Sequence, residues 1–230
     1  MAAGAIKNPE GPEERKCGKL KNILCFGDSN TFGFHHMTGG RLGPEERWTG
    51  LLQSLLGPEY HVIEEGCNGR TTAFDDPIED DRNGVKALPM LLESHRPLDL
   101  VVLSLGTNDC KSRFHVTEVD IARGMDRLVR MVKNYDYKGM AAPQVLVLCP
   151  VRLREGIGER EFTSFTEEGR QVCARLPAVY RRIAGENGCA FFDAGAVAGP
   201  SENDYVHIPA AGHRRLAEAL APLVRGLLEP

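Results

Sequence analysis

The chain contains no stretch approaching the ~20 consecutive apolar residues that a membrane-spanning helix needs, so a membrane partner is not expected. Its first 21 residues are polar, carry Pro9 and Pro12 and lack the apolar segment of a secretory signal. They read as a flexible extension, residues 1–21, on a cytoplasmic protein. An excess of basic charge is also missing: 28 Lys and Arg stand against 32 Asp and Glu, a net charge of −4, which offers nucleic acid no basic face. The seven cysteines (17, 25, 67, 110, 149, 173 and 189) are odd in number and form no Cys-x-x-Cys pair, which argues against a disulfide framework or a zinc site and for reduced thiols. Repeats and low-complexity segments are absent.

What the sequence does contain is ordinary globular material, 42% apolar and 26% charged in 230 residues, enough for one sizeable core. Five short apolar runs, at 22–26, 60–64, 99–105, 144–149 and 189–193, are candidate strands. Their continuous hydrophobicity, as in Leu100-Val101-Val102-Leu103, suits strands covered on both faces. Segments with helical spacing alternate with them. Ile121, Met125, Leu128, Val129 and Val132 follow a capping-box pattern at Thr117 and Asp120, and Leu216, Leu220, Leu223 and Leu227 follow Pro209. The alternation predicts a parallel sheet flanked by helices, hence an α/β domain over residues 22–230. The span 151–168 has no clear period and reads as a long loop, either a lid or a solvated connection.

In such a sheet, ligands bind beyond the carboxyl ends of the strands. Four chemically interesting segments fall there: Gly27-Asp28-Ser29-Asn30 after the first run, Gly69 after the second, Gly106-Thr107-Asn108-Asp109 after the third, and Asp204-Tyr205-Val206-His207 after the fifth. A serine hydroxyl is a poor nucleophile until an imidazole takes its proton, so Ser29 calls for His207, and Asp204 three residues earlier can orient the ring. The negative oxygen that develops on an attacked carbonyl needs preorganised donors, for which the backbone N–H groups of Ser29 and Gly69 and the Asn108 amide are the candidates. Phe32, Phe34 and Trp48 flank the serine block and either line a substrate pocket or pack.

Other residues carry blander readings. His213, the rival base, lies inside the last helix and reads as a packing histidine. Asp28 and Asp109 read as acceptors for backbone N–H groups of the loops around them. The cluster Asp75, Asp76, Glu79, Asp80 and Asp81 lacks calcium-loop spacing and includes Pro77, so it reads as a solvated loop. Cys67 and Cys110 are taken as structural. No pattern calls for a metal or an organic cofactor.

The four blocks resemble those of the SGNH (GDSL-type) hydrolases, serine esterases on a flavodoxin-like three-layer α/β/α fold with a five-stranded parallel sheet. Arg47-Trp48-Thr49-Gly50, Ile63-Glu64-Glu65-Gly66, Arg70-Thr71-Thr72 and Phe191-Phe192-Asp193-Ala194-Gly195 are further similar to the bacterial arylesterase and acyltransferase branch. The resemblance runs in order from about residue 22 to 228. It implies catalytic Ser29, Asp204 and His207, an oxyanion hole of Ser29, Gly69 and Asn108, a small-molecule ester substrate and a homo-oligomer. Asn30 departs from the pattern, standing where a leucine commonly follows the family's serine. A short-chain, acetyl-type esterase with possible acyl transfer is the expected activity. A carbohydrate acetylesterase or a lysophospholipase/thioesterase is the alternative on the same scaffold. A flavodoxin-like nucleotide-binding module is the alternative of another class, although Gly27 to Gly33 has neither Gly-x-Gly-x-x-Gly nor P-loop spacing.

Overall fold

In the computed structural model, which describes residues 20–161 and 163–229, five strands form one parallel sheet. The strands are β1 (Lys21–Gly27), β2 (Tyr60–Gly66), β3 (Leu100–Ser104), β4 (Gln144–Cys149) and β5 (Ala190–Asp193), in the order β2-β1-β3-β4-β5. The extension expected at the N-terminus lies, up to residue 19, outside the described residues. Among the described residues no helix is long and apolar enough to cross a membrane.

The apolar runs of the central strands β1, β3 and β4 are continuous because their two faces are buried against different helices. Leu24 and Phe26 of β1, Val101 and Leu103 of β3, and Val145 and Val147 of β4 pack with α3 (Gly84–His95), α4 (Glu118–Asn134) and α5 (Glu167–Glu186). Their neighbours Ile23, Cys25, Leu100, Val102, Leu146 and Leu148 face α2 (Trp48–Leu56) and α6 (Ala210–Leu228) on the other side. Alternate side chains of a strand point to opposite faces, so one unbroken run feeds two cores.

Helix ends follow local chemistry. Thr117 Oγ1 accepts from Asp120 N and Asp120 Oδ2 accepts from Thr117 N, the reciprocal box read from the sequence, worth about 1 kcal/mol at a typical N-cap. Pro209 stands one place outside α6 as its cap rather than as its first residue. The irregular span after β4 ends where α5 begins, at Glu167.

The strand order reverses around β1: the chain crosses from β1 to β2 on one side, and from β2 back past β1 to β3 on the other. The loops leaving β1 and β3 therefore diverge to opposite faces and leave a crevice between them, the position at which doubly wound sheets hold their ligands.

Candidate active site

Ser29 is the first residue of a single helical turn, α1 (Ser29–Phe32), which starts directly after β1. Asp28 caps this turn, its Oδ1 accepting from Asn30 N at 2.9 Å. Gly33 ends it at φ 80°, a left-handed conformation that glycine adopts without penalty. The backbone thus turns sharply and leaves the Ser29 hydroxyl at the crevice.

Across 178 residues of sequence, His207 Nε2 lies 2.8 Å from Ser29 Oγ. His207 Nδ1 lies 2.6 Å from Asp204 Oδ2, while Asp204 Oδ1 accepts from the backbone N–H of Val206 and His207, each at 3.0 Å. Burial alone would raise the pKa of Asp204. The hydrogen bonds from the His207 ring and from Val206 N and His207 N outweigh it and hold the carboxyl below its ordinary value. A carboxylate so held fixes the tautomer that turns an acceptor nitrogen toward Ser29.

The segment carrying Asp204 and His207 is gripped on its outer side. Tyr205 sits at φ 67°, unusual for a residue with a side chain, and its ring lies beneath the guanidinium groups of Arg154 and Arg160, 5.5 and 4.7 Å from the centroid. Arg154 N donates to Tyr205 O at 3.0 Å.

Gly69 and Asn108 approach the same crevice from the loops after β2 and β3. Asn108 Nδ2 donates one hydrogen to Arg70 O at 3.1 Å, leaving the second available. Among the described residues no acceptor takes the N–H of Ser29 or of Gly69. Gly69 has φ +80°, and a Cβ there would stand 2.5 Å from Glu79 Oε2, so a side chain would both strain the turn and press on the wall. Two buried groups hold these loops, and sequence reading gave a role to one of them. Asp109 accepts from Thr72 N at 3.0 Å and from the Thr72 hydroxyl, and burial pushes its pKa up to about 6. Arg70, for which the reading had none, donates from Nη1 to Gly27 O and Glu65 O at 2.9 and 2.5 Å and covers the Phe26 ring at 4.2 Å.

Ser29, Gly69, Asn108 and His207 line one cavity of about 240 Å³, together with Phe34, Asn68, Glu79, Lys111, Phe165 and Val206. A larger concavity of about 660 Å³ lies beside α3 and holds no serine, cysteine or histidine among its lining residues. The expected aromatic lining needs correction. Phe34 is there, its ring 4.5 Å from that of His207. Trp48 is a core residue, 1% exposed, whose Nε1 donates to Asn30 O, because it opens α2 on the face packed against the sheet. Phe32 is not among the cavity residues either; Arg41 stacks on its ring at 4.7 Å.

The acidic loop is corrected as well. Asp76 is buried and accepts from Arg113 Nη2 at 2.6 Å, and Glu79 accepts from Lys111 Nζ and Arg113 Nη2 at 2.8 Å each. Only Asp75, Asp80 and Asp81 of that cluster are exposed. Phe165 enters from the 151–168 span, which an antiparallel bridge pins to Lys111. His213 is fully buried, its Nδ1 accepts from Trp48 N at 3.3 Å, and burial pushes its pKa down to about 4.

A serine, an imidazole and a carboxylate chained by hydrogen bonds at the switch point of a doubly wound sheet form the constellation of a serine hydrolase. The chain belongs to the GDSL-like lipase/acylhydrolase family, whose model matches residues 25–215. Among solved structures, a native aryl esterase from M. smegmatis is 42% identical, with 91% of this chain and 100% of that chain covered and a TM-score of 0.85. A carbohydrate acetylesterase family member from Sinorhizobium meliloti is 41% identical, covering 92% and 100%, with a TM-score of 0.87. Est24, a carbohydrate acetylesterase from the same organism, is 39% identical over 90% and 99%, with a TM-score of 0.85. No curated protein matches the chain at a significant level.

Proposed function

We propose that the protein cleaves short-chain carboxylic esters, acetyl esters above all, through an acyl-enzyme on Ser29, and that an alcohol bound in place of water receives the acyl group. The observation that carries this reading is the Ser29–His207–Asp204 hydrogen-bond chain. Ser29 Oγ attacks the ester carbonyl while His207 Nε2 takes its proton, and Asp204 stabilises the imidazolium that forms. The N–H groups of Ser29 and Gly69 and the free hydrogen of the Asn108 amide receive the oxyanion. The imidazolium then protonates the leaving alkoxide, and the same steps in reverse order deliver water or an alcohol to the acyl-enzyme. Aryl, alkyl and sugar alcohols are the candidate leaving groups, in keeping with the named activities of the similar solved structures.

The test of the nucleophile is a fluorophosphonate probe, which is expected to add one adduct on the peptide containing Ser29. An adduct elsewhere, or none on protein that turns over esters, would sink the assignment.

Acyl length follows from the cavity wall. Each buried methylene gains ~0.8 kcal/mol, but the cavity wall includes the Phe34 and Phe165 rings and the Lys111–Glu79 ion pair, with Lys111 only 8% exposed. A long acyl chain must push into this wall, and overpacking costs about 1–3 kcal/mol. Specificity constants for p-nitrophenyl esters are therefore expected to peak at acetate to butyrate and to fall by octanoate. A rate rising through eight carbons would favour the lysophospholipase-like reading.

The family resemblance also supports a homo-oligomer, and the free thiols among the described cysteines fit a reducing cytoplasmic setting. Light scattering at micromolar concentration checks the first: a mass of 25.3 kDa contradicts it.

A further inference from the structure

We propose that Asn30 is a positioning residue whose side-chain oxygen sets the separation of the nucleophile from the base; the inference rests on the assignment of Ser29 and His207 above. Asn30 directly follows Ser29, and Ile208 directly follows His207. Asn30 Oδ1 accepts from Ile208 N at 2.9 Å, alongside the 2.8 Å contact between Ser29 Oγ and His207 Nε2. The two adjacent residues on each segment are thus bonded pairwise, one pair through the reacting atoms and the other through a group that takes no part in the chemistry.

Asn30 is itself held at every other polar atom of its backbone that faces the protein. Its N–H donates to Asp28 Oδ1 at 2.9 Å and its carbonyl accepts from Trp48 Nε1 at 3.1 Å. The residue is 7% exposed and its bond to Ile208 is buried, shielded from water. Because Ile208 N is a donor, the atom facing it must be the amide oxygen, which fixes the orientation of the amide. The amide nitrogen is then left buried with no partner among the described residues.

That orphan donor carries a desolvation penalty which a leucine of similar volume would not incur. A leucine, however, would leave Ile208 N–H unpaired and the His207 segment without its fixed distance to α1. The side chain is therefore poorly chosen for packing and well chosen for registering one loop against the other. In acyl transfer the register matters, since a misplacement of about 1 Å at reacting groups can lower rate ~10²-fold.

The experiment compares Asn30→Leu, Asn30→Ala and Asn30→Asp with the parent protein, using fluorophosphonate both to count active sites and to report the phosphonylation rate. Asn30→Leu and Asn30→Ala are expected to lower kcat/KM for p-nitrophenyl acetate by about 10- to 100-fold per titrated site. Phosphonylation of Ser29 should slow in parallel. Asn30→Asp keeps an acceptor oxygen toward Ile208 N whether or not it is ionised and removes the orphan NH₂, so it should retain most of the parent rate.

A merely structural role would reduce the number of titratable sites or the melting temperature and leave the rate per site unchanged. That result overturns the proposal, as does an Asn30→Asp variant as slow as Asn30→Leu. Should Asn30→Leu fail to fold, the smaller Asn30→Ala carries the same expectation. Parent protein labelled away from Ser29 would instead overturn the nucleophile assignment, so the two failures are told apart.

Discussion

His207→Ala is expected to lower kcat on p-nitrophenyl acetate by about 10⁶-fold, the order seen when a triad base is removed. Ser29 Oγ has its contact with His207 Nε2 at 2.8 Å, and Phe34, the other aromatic ring against His207, offers no proton acceptor. His213→Ala is expected to behave in the opposite way. Its ring accepts from Trp48 N in the core, and the pKa of about 4 keeps it neutral at physiological pH. Turnover per folded molecule should survive that change, while the melting temperature falls.

The acid dependence of stability gives a second sign by which to know His213. In the unfolded chain the residue takes up its proton near 6.5, whereas in the folded protein it refuses one until about 4. The folded state therefore binds fewer protons in this window, so stability present above pH 6.5 is lost as pH falls toward 4. Replacing His213 should flatten that part of the melting-temperature profile. If His213→Ala is crippled at intact fold while His207→Ala turns over normally, the base has been assigned to the wrong ring.

Asn108→Ala is expected to reduce kcat by about 10²- to 10³-fold, the usual effect of deleting one oxyanion donor. KM should change little, because the donor acts on charge that develops after the ester is bound. The amide also holds Arg70 O, so a lower melting temperature accompanies the change. Structural damage alone would be repaired at low temperature, where the fold recovers, whereas a missing donor is missing at every temperature. A kcat close to that of the parent in folded Asn108→Ala would remove Asn108 from the oxyanion hole.

The strands were readable because their burial is two-sided: β3 alternates between two cores at every residue, so no polar position interrupts Leu100-Val101-Val102-Leu103. The residues at the strand ends were readable too, since the topology of a parallel sheet sends every βα loop to one edge. The chemistry of Ser29, Asp204 and His207 could be paired on paper by asking which group activates which.

Side-chain direction was not readable in the same way. Phe34 and Trp48 both flank the serine, yet one faces the cavity and the other the sheet, a choice made by which face of α2 packs on β1. Helix α5 likewise runs from Glu167 to Glu186 through Pro177, which local propensity would not have allowed and packing of Cys173, Leu176 and Tyr180 on the sheet sustains.

By itself, then, the sequence determined the layered α/β architecture and the set of candidate reacting groups, since both follow from patterns within single segments. Only the tertiary structure decided the wall of the cavity and the supports behind it. Asp76 and Glu79 read as part of a solvated acidic run because their partners Lys111 and Arg113 lie more than 30 positions away, on the loop after β3. Charges that look alike along the chain acquire different fates when folding buries one carboxylate against two cations and leaves its neighbours in water. Distance in space, which no local pattern encodes, separates them.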